Sequence, residues 1–96
     1  MLIYKVMKED KFIGMVDARS LGAATEIGYW LVEDETGKGY GTKVVAMLTE
    51  ELVKRDTKTI IANTDINNHP SNKLLIDLGF KKVRVEDQDV LYERNL

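Results

Sequence analysis

Thr36-Gly37-Lys38-Gly39-Tyr40-Gly41-Thr42-Lys43 places glycine at alternate positions and runs straight into an amphipathic segment. Tyr40, Val44, Met47, Leu48 and Leu52 follow the i, i+4, i+7, i+8, i+12 spacing that lays one apolar stripe along a helix. Upstream, Glu26-Ile27-Gly28-Tyr29-Trp30-Leu31-Val32 is rich in strand formers. A strand, a glycine-rich loop and a helix in that order aim unpaired backbone N–H groups at one point. Those donors and the positive end of the helix dipole attract an anion, most often a phosphate. Glycine suits the position because a side chain would hold the ligand away from the backbone. The stretch reads as a phosphate cradle, against the plainer alternative of an ordinary helix start.

Outward from the loop, the pattern predicts two strands at residues 2–8 and 12–18, joined by the polar turn Glu9-Asp10-Lys11. Gly14 inside the second strand marks a bulge or a close approach of another backbone. Residues 19–24 connect to a third strand at 25–32, whose second half is apolar on both faces, as in a central strand covered on both sides. After the acidic turn Glu33-Asp34-Glu35 and the glycine loop, the helix is expected to run to about Arg55. Lys54 and Arg55 in its last turn complement the dipole. A fourth strand at 59–64 makes a strand–helix–strand unit, expected to be a right-handed parallel crossover.

Asp65-Ile66-Asn67-Asn68-His69 supplies an N-cap, and Pro70 sits near the first turn of a second helix. Leu74, Leu75 and Leu78 give that helix its apolar face, and Gly79 ends it. Residues 80–86 and 90–95 form a last hairpin around Asp87-Gln88. The predicted order is β-β-β-α-β-α-β-β, an α+β fold with a mixed sheet. Only the third and fourth strands need be parallel. Ligands on such sheets bind at the carboxyl ends of parallel strands beside the crossover helix, which sets the glycine loop opposite residues 65–71.

The chain has 96 residues, 44% hydrophobic and 31% charged, with no cysteine and a net charge of −2. That length and composition fit one globular domain over residues 1–96. Neither a bilayer-spanning run nor the apolar core of a signal peptide is present, so no membrane partner is expected. The absence of disulfide and thiolate chemistry suits a cytoplasmic protein. Interspersed charge of both signs argues against a nucleic-acid surface. The glycines lack the spacing of a dinucleotide fingerprint, and Gly37-Lys38 is followed by Gly39 rather than Ser or Thr, which excludes a P-loop. Pro70 and Ile76 stand where a calcium loop needs glycine and glutamate. His69, the sole histidine, lies two residues from Ser71 and does not share a helix face with it. No metal site or serine triad is expected.

Ile27-Gly28-Tyr29-Trp30-Leu31, then Gly37-Lys38-Gly39-Tyr40-Gly41-Thr42, then Asn68-x-x-Ser71 and Leu78-Gly79-Phe80 resemble the GNAT family of acetyl-CoA-dependent N-acetyltransferases. The likeness is to the branch that acetylates the N-termini of ribosomal proteins. The family loop Arg/Gln-x-x-Gly-x-Gly/Ala matches Thr36-x-x-Gly39-x-Gly41 at both small positions. The resemblance implies acetyl-CoA as the small-molecule acyl donor and an amine as acceptor, either a protein N-terminus or a small molecule. It further implies that Gly37, Lys38, Gly39, Tyr40, Gly41 and Thr42 hold the coenzyme A pyrophosphate. Asn68 and Ser71 would lie along the pantetheine arm.

Three positions depart from the family pattern. Thr36 replaces the usual Arg or Gln. Leu75 stands where many members carry a tyrosine that protonates the leaving thiolate. The chain also begins at what resembles the family's second strand, without the strand and two helices that wall the acceptor site. A short domain with splayed third and fourth strands is compatible with a homodimer.

Chemistry of this kind needs a held thioester, a polarised carbonyl and a neutral amine. Backbone N–H groups near Leu31 and Val32 are the candidate polarising donors. An α-amine costs about 1 kcal/mol to deprotonate at neutral pH and a lysine roughly 4.6 kcal/mol, so a weak base serves α-amines more readily. Glu26 is the candidate base, acting through water, or else a solvated strand-start glutamate; Asp65 is a second choice. Ser71 is read as a proton donor to the thiolate, as a partner of the pantetheine amides, or as an ordinary first-turn residue. Tyr92 either approaches the thioester or is a core tyrosine. The alternative function is a non-catalytic module that binds coenzyme A, or assembles with a partner, on the same scaffold.

Overall fold

The third and fourth strands run parallel but pair only at Thr25 with Ile60 and Glu26 with Ile61. This short contact organises the computed structural model, which describes residues 1–32 and 39–96. The acidic turn at 33–35 and the candidate residues Thr36, Gly37 and Lys38 lie outside the described residues. The elements are β1 (Leu2–Lys8), β2 (Lys11–Ser20), β3 (Thr25–Leu31), α1 (Tyr40–Lys54), β4 (Thr59–Asp65), α2 (His69–Asp77), β5 (Lys81–Glu86) and β6 (Asp89–Asn95). They build one mixed sheet in the order β1-β2-β3-β4-β6-β5, antiparallel except at β3–β4. The expected α+β order is found. β2 extends to Ser20, so the connection is shorter than the predicted 19–24. In the last hairpin β6 lies inside and β5 forms the edge.

Both helices contribute to one core on one face of the sheet. Val45, Leu48 and Leu52 of α1 and Leu75 of α2 cluster with Val16, Ala18, Ile27, Ile60, Ala62, Val90 and Tyr92. Each such large side chain contributes about 1.5–3 kcal/mol through burial. The opposite face carries the alternating partners, with Met15 opposite Trp30, Asp17 opposite Gly28 and Arg19 opposite Glu26. Trp30 is 50% exposed and meets Phe12 edge-on at 5.9 Å between ring centres. The expectation that β3 is covered on both sides is therefore corrected. Helices on a single face leave every second residue of β3 outward, whatever its polarity.

The predicted stripe of α1 is corrected too. Leu48 and Leu52 are buried as expected, but Met47 is 68% exposed, while Val45 and Thr49 take core positions. Thr49 can do so because its hydroxyl donates to the Val45 carbonyl at 2.9 Å. Residues 45, 48, 49 and 52 form an equally regular stripe, one step around the helix. Val44 is half-buried and still packs against the core as expected, and with Tyr40 and Met47 it lines an open groove of 570 Å³ beside Val6, Ile13 and Val16.

Gly14 meets both of its sequence-based readings. The β1–β2 register shifts there, leaving Ile13 as the extra residue. A Cβ on Gly14 would also strike the Trp30 carbonyl oxygen and stand 2.8 Å from Leu31 Cδ2. The close packing of β2 on the end of β3 thus requires glycine.

Candidate coenzyme-binding site

After Glu26, β3 and β4 part, and α1 and α2 each follow one of the diverging strands. Gly39 precedes α1 in the left-handed region, with φ 82° and no side chain capping the helix. Among the described residues nothing stands within 4 Å of where a Gly39 Cβ would be. The first helical N–H groups, from Tyr40, Gly41 and Thr42, have no partner within the helix itself. No acidic residue sits in this first turn, while Lys8 lies over the Tyr40 ring, its Nζ 5.1 Å from the centre. Among the described residues no side chain caps this helix start and none fills the space at Gly39, an arrangement that fits an anionic group such as a diphosphate. Gly41 serves a different purpose: a Cβ there would meet Leu74 Cδ1 at 3.0 Å and Leu31 Cδ1 at 3.9 Å. Glycine at 41 lets α1 rest against α2 and the end of β3.

Of the two amides expected to polarise a carbonyl, that of Val32 donates to the Ile13 carbonyl at 2.8 Å and is spent on β2. Antiparallel strands alternate bonded and non-bonded pairs. Counting back from the bonded pair of Val32 and Ile13, Leu31 with Gly14 and Tyr29 with Val16 are non-bonded pairs. The Leu31 and Tyr29 amides therefore turn away from β2, toward the gap.

On the far side of the gap, Asn68 caps α2. Its Oδ1 accepts the Ser71 N–H at 3.3 Å, and Pro70 occupies the first turn. Asn72 Nδ2 reinforces the turn by donating to the carbonyls of Asp65 at 3.0 Å and Asn68 at 2.8 Å. Asp65 Oδ1 accepts the Asn67 N–H at 2.8 Å, the local bonding expected of a turn aspartate. Tyr92 is 1% exposed and donates to Asn72 Oδ1 at 2.6 Å, which makes it a core tyrosine bracing α2. Ser71 is nearly buried, and its Oγ lies 2.5 Å from the hydroxyl of Tyr29.

Tyr29 is the functional candidate that sequence reasoning missed. The available signal was parity: Tyr29 alternates with Ile27 on the face that carries the helices, so its hydroxyl reaches the α2 start. Burial pushes its phenol up; the Ser71 hydrogen bond draws it back in part, and Tyr92 adds to the rise.

Glu26 sits at the closed end of the gap, on the sheet face away from Ser71. Its Oε1 pairs with Arg19 at 2.5 Å and its Oε2 accepts from Asn63 Nδ2 at 3.3 Å. The structure thus brings Leu31, Gly39, Tyr40, Gly41, Asn68 and Ser71 to the open end of the gap, and leaves Glu26 at its root. No described helix is long and apolar enough to cross a membrane.

Known structures share this architecture. A domain from Methanocaldococcus jannaschii superposes with a TM-score of 0.84 at 28% identity, over 94% of this chain and 62% of that one. The ribosomal-protein-alanine N-acetyltransferase of Brucella melitensis gives 0.87 at 18% identity, covering 98% and 68%. The PaiA N-acetyltransferase of Thermoplasma acidophilum, solved in complex with coenzyme A, gives 0.89 at 16% identity, covering 99% and 60%. The chain therefore spans 60–68% of the length of these relatives. No curated protein matches it by sequence. The family model of the acetyltransferase (GNAT) domain matches residues 1–81, and with that match the chain belongs to the GNAT acetyltransferase family.

Proposed function

We propose that residues 1–96 act as one coenzyme A-binding domain that moves an acetyl group from acetyl-CoA to a primary amine. The acceptor is a protein N-terminus or a small amine, met in the cytoplasm. One observation carries the proposal: β3 and β4 separate after Glu26, with the uncapped start of α1 on one side of the opening and the start of α2 on the other. The amides of residues 37–42 hold the pyrophosphate, those of Gly37 and Lys38 by sequence alone. Asn68 and Ser71 line the pantetheine arm. Acetyl-CoA supplies the activated thioester. The Leu31 N–H, facing the gap, polarises its carbonyl, a role the Val32 N–H does not share because Ile13 holds it.

Glu26 takes the amine proton through a water molecule from the helix-free face, and Ser71 meets the departing thiolate from the helix face. Such placement gives the amine and the departing thiol separate groups to serve them at one carbonyl carbon. A second reading, a non-catalytic coenzyme A-binding module, is favoured by the engagement of both Glu26 carboxylate oxygens.

Both readings expect acetyl-CoA to raise the melting temperature. Only transfer releases free thiol when a panel of α-amino peptides and small amines is added to the full chain with acetyl-CoA. A melting temperature unmoved by millimolar acetyl-CoA excludes both.

A further inference from the structure

We propose that Tyr29 is the positioning residue for Ser71: its phenol, reaching across the opening from β3, donates to Ser71 Oγ and leaves the serine's own hydrogen facing the gap. The inference rests on the acetyl-transfer reading of the site and names a residue to which that reading gives no part.

The two hydroxyls are 2.5 Å apart and carry two hydrogens between them. One lies in the bond; the other belongs to whichever oxygen accepts. A phenol is a far stronger acid than an aliphatic alcohol, so Tyr29 donates and Ser71 keeps the free hydrogen. The serine has no competing partner among the described residues: its backbone N–H is held by Asn68, and Tyr29 is the one contact of its Oγ.

Structural support of α2 does not depend on this bond. Tyr92 braces the first turn through Asn72, and Asn68 caps it. A phenyl ring at position 29 would fill the same volume. The Tyr29 hydroxyl is therefore free to serve orientation alone.

Tyr29 also lies three residues beyond Glu26, where β3 has left β4. A hydroxyl aimed into the opening from Ser71 stabilises the negative charge that builds on sulfur as the C–S bond breaks and its electron pair moves to sulfur. The proton that finally neutralises the thiolate is the one the amine nitrogen loses, returned through solvent, so the proton count closes.

The test compares wild type, Tyr29→Phe, Ser71→Ala and the double variant by two readouts. The first is the ionisation midpoint of the thiol of bound coenzyme A, followed by thiolate absorbance between about pH 6 and 9. An oriented donor lowers that midpoint. Tyr29→Phe and Ser71→Ala should both raise it, and the double variant should match Ser71→Ala, because Tyr29 acts through the serine. The second is thiol release from acetyl-CoA with an α-amino acceptor. There Tyr29→Phe should lower kcat about tenfold or more with KM for acetyl-CoA within about twofold, the signature of a donor acting mainly on developing charge.

An unchanged thiol midpoint in Tyr29→Phe overturns the proposal, as does a double variant that adds the two single effects. Wild-type protein that binds coenzyme A but never releases thiol overturns the acetyl-transfer reading alone, and the midpoint then decides the role of Tyr29. Wild-type protein that does not bind coenzyme A overturns both.

Discussion

Leu74 Cδ1 stands 3.0 Å from the point where Gly41 would carry a Cβ, so the first turn of α1 rests directly on α2. The two helices that flank the gap thus touch at this point, besides packing on the sheet. Gly41→Val should lower stability by about 1–3 kcal/mol through overpacking. Leu74→Ala in the same chain should relieve part of that loss. Thermal unfolding of both singles and the double is expected to give a coupling of about 0.5 kcal/mol or more. Strict additivity would mean that the contact carries no energy.

Gly39 differs from Gly41 because its requirement is conformational. With φ 82° and no described atom within 4 Å of the missing Cβ, Gly39→Ala should cost about 1–2 kcal/mol. Gly39→Asn should cost less, since asparagine tolerates the left-handed region. Urea unfolding ranks the two; equal losses would point to a clash instead.

Asn68 has a structural duty that is separable from any contact with coenzyme. Removing the cap in Asn68→Ala should destabilise by about 1 kcal/mol. Asn68→Asp keeps an acceptor for the Ser71 N–H and should stay near wild type in melting temperature. If Asn68→Asp nonetheless weakens coenzyme A binding severalfold by calorimetry, the side chain serves the ligand as well as the helix.

Burial holds the phenols of Tyr29 and Tyr92 above their usual value of 10.0. The neutral phenol is favoured in the folded chain, so this contribution is complete below about pH 10 and is lost as pH rises through the folded values. Melting temperatures measured from pH 8 to 11 should fall on the alkaline side, less steeply in Tyr29→Phe. An identical alkaline limb in that variant would contradict the assigned burial effect.

Arg19 and Glu26 form an exposed cross-strand pair, so Arg19→Ala should change stability by less than about 1 kcal/mol. Glu26→Gln should leave the fold equally intact while lowering acetyl transfer about 10²–10⁴-fold, the range for a lost general base. Turnover that survives this substitution removes Glu26 from the chemistry.

Much of the site was legible before any coordinates. The strand–glycine–helix order, the Asn68 cap with Pro70 behind it and the parallel sense of β3 and β4 follow from local rules. These are backbone conformation at glycine, side-chain capping, and the impossibility of joining parallel neighbours by a tight turn. The faces were not legible. Val45 and Thr49, rather than Met47, meet the core because two equally regular stripes run along α1, and only the position of the sheet chooses between them. Trp30 is outward because both helices sit on one face.

What the amino-acid sequence determined by itself is the order of elements and where the chain turns, since hydrogen bonding and steric limits within a few residues decide them. The pairing of Tyr29 with Ser71, forty-two residues apart, and the loss of the Val32 amide to Ile13 were decided only by tertiary structure. Each depends on which strand lies beside which and on the register between them, and no local preference encodes that.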